Sequence, residues 1–540
     1  LDEIDTLVIN GAECEPYITA DNREFLECSD TVLRGVAAVK EHLGIQKVIF
    51  GIERNKPAAI DLMFSLTKGD PSYQVLPLDS RYPQGAEKVL IEKTTGREVP
   101  RGGLPSDVGV IVMNVTTAST LGKFLDTGMP LTTKRLTVDG DAVTTAKNVE
   151  VIIGTPMQDV LGFCGVKTDQ MEKLIMGGPM MGTAVCDPSF PVLKQNNALL
   201  AFSAQKAHLP EPGPCIRCGR CIAACPLGLS PVEIAGAFTK GDVDGLNKLM
   251  VDLCMGCGSC TFVCPAKRPV AQTMSLAKVM QKNGGKKERM EPKKLVVTAS
   301  PHIVDQSSTR GLMGHVIVAL LPALVASVFI FGARALLVTG VTVAACVGFE
   351  ALYCILMKKP IPVGDLSAVV TGIILAFNLP ATIPLWIAVV GAFIAIVVVK
   401  QLFGGIGCNF ANPALVARIA LFVGFAGRMT SYAFPQTDID ALATATPLVA
   451  GKSISSMDML FNLALGIHGG VLGETCSVML LLGGIYLIAT RTISPAIPVS
   501  YLGTVAVLSL VFGQDVLLQL LGGGLLLGAF FMATDYVTSP

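Results

Sequence analysis

Eight of the chain's 16 cysteines fall into two runs of one spacing, C-x2-C-x2-C-x3-C-P: Cys215, Cys218, Cys221, Cys225-Pro226 and Cys254, Cys257, Cys260, Cys264-Pro265. Thiolates at this spacing bind 4Fe-4S cubanes: the first three of a run wrap one cubane, and the fourth, displaced by a helical turn and followed by Pro, ligates the other. Cys215, Cys218, Cys221 and Cys264 are therefore assigned to one cluster, and Cys254, Cys257, Cys260 and Cys225 to the second. The small residues Gly219, Gly256, Gly258 and Ser259 let backbone amides approach the sulfides. Zinc uses two separated C-x2-C pairs and does not ask for eight thiols in a doubled pattern. This stretch must fold around two neighbouring one-electron carriers.

The rest of the chain divides near residue 290. Beyond it run long segments without any charge: Gly311 to Gly332, Ala381 to Val399, Ile493 to Gly513 and Val516 to Thr534. Each can cross a hydrocarbon core of roughly 30 Å as a helix. Further spans are expected at Ala335 to Met357, Leu366 to Leu379, Pro413 to Gly427 and Val471 to Ala489, about eight in all. A composition that is 51% hydrophobic agrees with partial immersion in lipid, and 42 basic against 42 acidic residues argues against a nucleic-acid partner. Lys286, Lys287, Arg289, Lys293 and Lys294 precede the first span, Lys358 and Lys359 follow the second, and Lys400 follows the fourth. The positive-inside rule places these ends, and with them the cysteine region, in the cytoplasm. Ionisable groups within spans are functional candidates, so Glu350, Arg418 and Glu474 are candidates for an ion path, with helix-end snorkelling or an internal ion pair as the alternative. Cys346, Cys354, Cys408 and Cys476 read as small packing residues.

Residues 1–134 alternate short apolar runs (Thr6 to Ile9, Lys47 to Phe50, Val108 to Met113) with helical patterns such as Ser29 to Leu43. Residues 135–200 form a second β-rich module, 201–281 the cysteine domain with a helix pair over Ser230 to Met250, 282–310 a basic linker, and 311–540 the membrane domain. Gly11-Ala-Glu-Cys-Glu-Pro-Tyr17, Arg101-Gly-Gly-Leu-Pro105 and Met176-Gly-Gly-Pro-Met-Met-Gly182 offer amides for a phosphate and carboxylates for a ribose or ring nitrogen. On chemistry alone these stretches are equally consistent with turns. Leu1 is not an initiator Met and no signal pattern follows it, so the true N-terminus is expected to lie elsewhere.

Taken together, Asn10 to Tyr17 with Asp21, Tyr82-Pro-Gln-Gly85, Thr95 to Pro100, Gly102 to Pro105, Asn114-Val115 and Met176 to Gly182 resemble the C subunit of the Rnf complex, an ion-translocating ferredoxin:NAD oxidoreductase. The resemblance covers residues 1–289. It implies an FMN and NADH site like that of the flavoprotein subunit of respiratory complex I, with Glu13, Glu15, Gly102 and Gly103 as contacts, then a β-grasp module and a two-cluster ferredoxin-like α-helical domain. One departure is that the family's glycine-rich nucleotide loop is absent. Ser300-Pro-His302, Leu402 to Gly407 with Asn409 and Asn412-Pro-Ala414, Asp440 to Leu448, Gly473-Glu-Thr475 and Ala533-Thr-Asp535 with Thr538-Ser-Pro540 resemble the D subunit. That resemblance implies FMN held covalently, as a phosphoester, on Thr446. Met290 looks like a subunit start, so two polypeptides are expected to be joined in frame, the first shortened at its N-terminus and the second at its C-terminus.

The fold expected is an α+β soluble region followed by a polytopic α-helical membrane domain in the bacterial inner membrane. The resemblance implies electron flow through two 4Fe-4S clusters and flavins, coupled to Na+ or H+ transport, with Rnf-type A, B, E and G subunits, ferredoxin (indirectly), NAD(H) and membrane lipid as partners. The alternative is a noncatalytic membrane anchor and electron relay without NADH binding.

Overall fold

The computed structural model describes residues 4–167, 169–283, 300–432, 457–466, 468–474 and 476–538. It divides into two compact units, Leu1–Pro212 with Arg220–Asp305, and Gly213–Gly219 with Gln306–Pro540.

The first unit opens with β-branched and aliphatic runs that form β1 (Thr6–Gly11), β2 (Lys47–Glu53), β3 (Tyr73–Leu78) and β4 (Val110–Asn114). They pair in parallel in the order β3-β2-β1-β4. Parallel strands need crossover helices and burial of both faces, and Leu7, Val8 and Ile9 are accordingly all buried. The helices Ser29–Leu43 and Val115–Thr127 lie on one face, and they approach so closely that a Cβ on Gly35 would fall 1.9 Å from the Ala118 carbonyl and one on Gly122 2.0 Å from that of Thr31. Only glycine fits at either crossing point. The functional loop Gly11 to Tyr17 leaves the C-terminal end of β1, the edge at which open parallel sheets bind ligands.

A mixed sheet follows: β5 (Thr133–Asp139), β6 (Lys147–Ile152), β7 (Met171–Met176), β8 (Thr183–Val185) and β9 (Ala198–Ser203), in the order β6-β5-β9-β7-β8. One helix, Met157–Phe163, closes its core with Leu136, Val138, Leu161 and Leu199. The cysteine domain is helical. Pro231–Lys240 ends at Gly241 in the left-handed conformation, and Val243–Lys248 is capped by Asp242, whose carboxylate accepts from the Gly245 amide at 2.8 Å. Ile234, Leu246, Met274 and Ala277 fill the core between this pair and Val270–Lys282.

In the second unit helices occur at all eight expected places, but with a different character. Among the described residues two, Thr309–Phe331 and Ala333–Leu356, are long and apolar enough to cross a bilayer. The others are shorter: Ser367–Phe377, Leu385–Phe393 continued by a π-helical stretch Ile394–Gln401, Pro413–Gly424, Ser477–Ala489 and Ala496–Val511. The eighth is broken by Gly522, Gly523 and Gly524 and resumes as a short α-helix, Leu525–Leu527, that runs into a second π-helical stretch, Gly528–Met532. Continuous apolarity was thus not a measure of helix length. Interrupted backbone is tolerated at membrane depth where protein encloses it, and Ile373 to Phe377 and Ala529 to Met532 are buried in one core.

Candidate cofactor sites

The loop after β1 carries Glu13, Cys14 and Glu15, and with Tyr17, Glu53, Lys56, Arg81 and Tyr82 it lines a cavity of about 370 Å3. Glu13 is turned inward. Its carboxylate accepts from the backbone amides of Asp21 (2.8 Å) and Asn22 (3.3 Å), at the start of the helix Ala20–Glu27. Lys56 Nζ stands 2.9 Å from Glu53, 3.8 Å from the Glu13 carboxylate, and donates to the Glu13 carbonyl at 3.0 Å. Two acids therefore share one buried ammonium. Burial first, and the charge of Asp21 second, push the Glu13 carboxyl up to about 7. Glu15 points the other way and accepts from the amides of Met180 and Met181, at 2.9 Å each, in the loop between β7 and β8. Burial also raises its pKa. A Cβ on Gly178 would sit 2.3 Å from the Glu15 carboxylate and push it out of this contact. Gly102 and Gly103 do not line this cavity. They form a turn, Gly102 at φ 75°, closed by Asp107, which accepts from the Leu104 amide at 2.8 Å.

Glu13 makes stability pH-dependent in a defined direction. Its folded-state pKa lies above the ordinary 4.5, so its contribution is fully present below that value and is lost as pH rises through about 7. The stability of Glu13→Gln relative to wild type is therefore expected to rise between about pH 5 and pH 8, as read from denaturant melts at each end. A difference that stays flat across that window would remove Glu13 as the titrating group.

Cys225, Cys254, Cys257 and Cys260 line one small apolar cavity with Pro226, Leu229 and Met274. These are the four thiols that the crossed pattern groups together, three from one run and the last from the other. Burial, followed by the neighbouring Cys257, Cys254 and Cys221, pushes the Cys260 thiol up to about 12, so its thiolate forms only when metal takes up the charge. The donor set suits a cubane: four soft sulfurs, the Ser259 hydroxyl 3.5 Å from Cys257 Sγ, and Lys278 donating to the Cys254 carbonyl at 2.8 Å. Tyr82 donates to the Cys257 carbonyl at 2.7 Å. Of the other set, Cys221 and Cys264 belong to the first unit, and Cys215 and Cys218 to the segment grouped with the second.

Among the described residues of the membrane region, two ion pairs form, Glu350 with Lys400 and Arg418 with Glu474. Glu350 is fully buried and meets Lys400 at 2.7 Å and Gln401 Nε2 at 2.9 Å. Lys400 also donates to Ser367 at 2.6 Å. Lys400, read from the sequence as a charge flanking a span, is instead a buried partner within the π-helical stretch, so it carries no weight as a topology signal. Arg418 donates to Asn378 at 2.7 Å and to Glu474 at 3.2 Å. Cys346, Cys354 and Cys476 are buried as expected of packing residues, whereas Cys408 is exposed, in the turn after Gly404, Gly405 and Gly407. Thr446 lies outside the described residues.

Residues 296–540 match a model described as the NQR2, RnfD, RnfE family. A stretch of 249 residues is 48% identical to the D subunit of the Na+-translocating ferredoxin:NAD+ oxidoreductase complex of Acetobacterium woodii, covering 46% of this chain and 78% of that protein. The chain belongs to the NQR2, RnfD, RnfE family. This member carries more than that family's region. Residues 1–123 match the Nuo51 FMN-binding domain, 135–184 the SLBB domain and 214–268 a 4Fe-4S dicluster domain. The C subunit of the proton-translocating ferredoxin:NAD+ oxidoreductase complex of Clostridium ljungdahlii is 44% identical over 229 residues, 42% of this chain and 50% of that protein. The C subunit of the ion-translocating oxidoreductase complex of Rhodobacter capsulatus is 36% identical over 277 residues, 51% of this chain and 53% of that one. The chain spans about half the length of these two proteins. One polypeptide thus joins a region like these C subunits to a region of the NQR2, RnfD, RnfE family, and the latter is a membrane region.

Proposed function

We propose that this chain is the fused C-like and D-like electron-transfer part of a membrane-bound, ion-translocating ferredoxin:NAD oxidoreductase. The observation that carries the reading is the presence, within one unit, of the carboxylate-lined cavity at the end of β1 and the four-thiol cavity, with Tyr82 lining the first and donating to the carbonyl of Cys257, which lines the second. When bound, FMN supplies the exchange between hydride and single electrons, and 4Fe-4S clusters supply one-electron carriers. The residues of the chain do the rest. Lys56, between Glu13 and Glu53, fixes the charge of the cavity floor, and Glu15 anchors the loop between β7 and β8 beside it. Cys225, Cys254, Cys257 and Cys260 hold the second cluster, and Cys215, Cys218, Cys221 and Cys264 the first. The Lys278 ammonium offsets negative charge at the second cluster. In the membrane region Thr446 carries FMN as a phosphoester, and the Glu350–Lys400 and Arg418–Glu474 pairs lie along the path of Na+ or H+. Residues 1–289 face the cytoplasm, where NAD(H) binds. Rnf-type A, B, E and G subunits complete the assembly and bring electrons from ferredoxin.

The test uses the full chain, coexpressed with a flavin transferase and loaded with iron, sulfide and FMN. NADH should bleach the flavin absorbance, and the denatured band on a gel should fluoresce in the wild type but not in Thr446→Ala. Flavin that NADH leaves oxidised would overturn the NADH assignment, and fluorescence that survives Thr446→Ala would overturn the covalent site.

A further inference from the structure

We propose that Tyr82 is a positioning residue that ties the Glu13 to Tyr17 cavity to the second iron-sulfur cluster and sets the reduction potential of that cluster; this rests on the assignment of Cys225, Cys254, Cys257 and Cys260 to a cubane. The geometry has two halves. On one side the turn that carries Tyr82 is stapled to the cavity loop. Asn10 Nδ2 donates to the Gly85 carbonyl at 3.0 Å, the Gly85 amide donates to Cys14 Sγ at 3.3 Å, and Asn10 Oδ1 accepts from the Ala12 amide at 3.1 Å. The fit is tight enough that a Cβ on Gly85 would fall 2.3 Å from the Ala12 carbonyl. Tyr82 therefore moves with Glu13, Cys14 and Glu15.

On the other side the ring of Tyr82 reaches a second cavity, of about 1040 Å3, whose walls include Cys225, Pro226, Ser259 and Phe262. There its hydroxyl donates to the backbone carbonyl of Cys257, whose sulfur is one of the four proposed ligands. A hydroxyl that donates to the carbonyl of a ligating residue would offset that carbonyl's negative end, and the dipole so added would make the surroundings of a bound cluster more positive. Reduction adds one negative charge to the cubane, so this dipole stabilises the reduced form and raises the potential. Tyr82 keeps its proton and its electrons throughout and acts by dipole and position. Lys278 acts in the same sense on Cys254 from the helix Val270–Lys282, but it does not line the Glu13 to Tyr17 cavity. Of the two donors, only Tyr82 connects cavity and cluster.

The experiment is a redox titration followed by electron paramagnetic resonance on the full chain loaded with iron and sulfide, comparing wild type with Tyr82→Phe, which removes the hydroxyl and keeps the ring. One cluster should shift to lower potential, the other should stay in place, and iron content should not change. The shifted signal should be the one that Cys225→Ala removes. Two unmoved potentials or two potentials moved alike would overturn the inference while leaving the iron-sulfur assignment intact, and a shifted signal that survives Cys225→Ala would overturn the inference together with the grouping of Cys225 with Cys254, Cys257 and Cys260. A wild-type chain that assembles no 4Fe-4S cluster overturns both.

Discussion

Cys225→Ala is expected to cost the protein the cluster built on the other cysteine run, together with roughly half of its bound iron. The residue sits in the run Cys215 to Cys225, so a reading of each run as a self-contained site predicts loss of the first cluster. The fold opposes that reading, because Cys225 lines a cavity with Cys254, Cys257 and Cys260. Three thiolates alone leave an iron corner open to solvent and oxidation, which destroys the cubane in air. Cys225→Ala and Cys257→Ala should therefore leave the same residual spectrum, and Cys264→Ala the complementary one. Iron analysis with low-temperature spectra of the three variants decides the matter. If Cys225→Ala and Cys264→Ala exchange these outcomes, the crossed ligation is wrong.

Lys400→Met should destabilise the membrane region by about 3–5 kcal/mol, since it strands the fully buried Glu350 without its counter-charge. The pair itself need not be stabilising. Desolvating both charges costs about as much as their attraction returns, so a double change, Glu350→Met with Lys400→Met, should recover most of the loss. Thermal melts in detergent separate the two cases. The double variant also isolates function from folding: if it folds normally yet passes no Na+ or H+ in vesicles, the pair belongs to the ion path, and if transport persists the pair is structural.

Legibility in the sequence followed the range of the chemistry. Cluster ligation forces thiols into short, fixed spacings, so the eight cysteines could be grouped into two expected sets before any fold was known, and the members of one set, Cys225, Cys254, Cys257 and Cys260, line a single cavity. The strand Thr6–Gly11 and the helix Ser29–Leu43 were visible because burial imposes local periodicity. Glu350 and Lys400 lie fifty positions apart, and nothing local marks either as the partner of the other. The π-helical stretch Ile394–Gln401 deepened the difficulty, because it changes which side chains share a face. Gly102 and Gly103 are ambiguous for the opposite reason: a glycine pair signals a turn, and its ligand is a matter of context. Lys56, and the contact of Tyr82 with Cys257, acquire meaning only from the meeting of distant segments.

Ser300–Asp305 belongs by similarity to the membrane family, whose match begins at residue 296, yet it is folded into the first unit. His302 donates its amide to the Pro179 carbonyl at 2.7 Å, and its ring meets the Gly182 carbonyl at 3.0 Å, in the same loop that holds Glu15; the Asp305 amide donates to Phe262 at 2.9 Å. Ancestry and architecture therefore divide this chain at different points. In a two-chain relative built this way, six residues of one polypeptide would act as a tenon in a mortise cut from the other, and every assembly event would have to bring them together from solution. Joining the genes makes that encounter intramolecular, at an effective concentration on the order of millimolar. Stoichiometry is then fixed at one to one before any other polypeptide arrives.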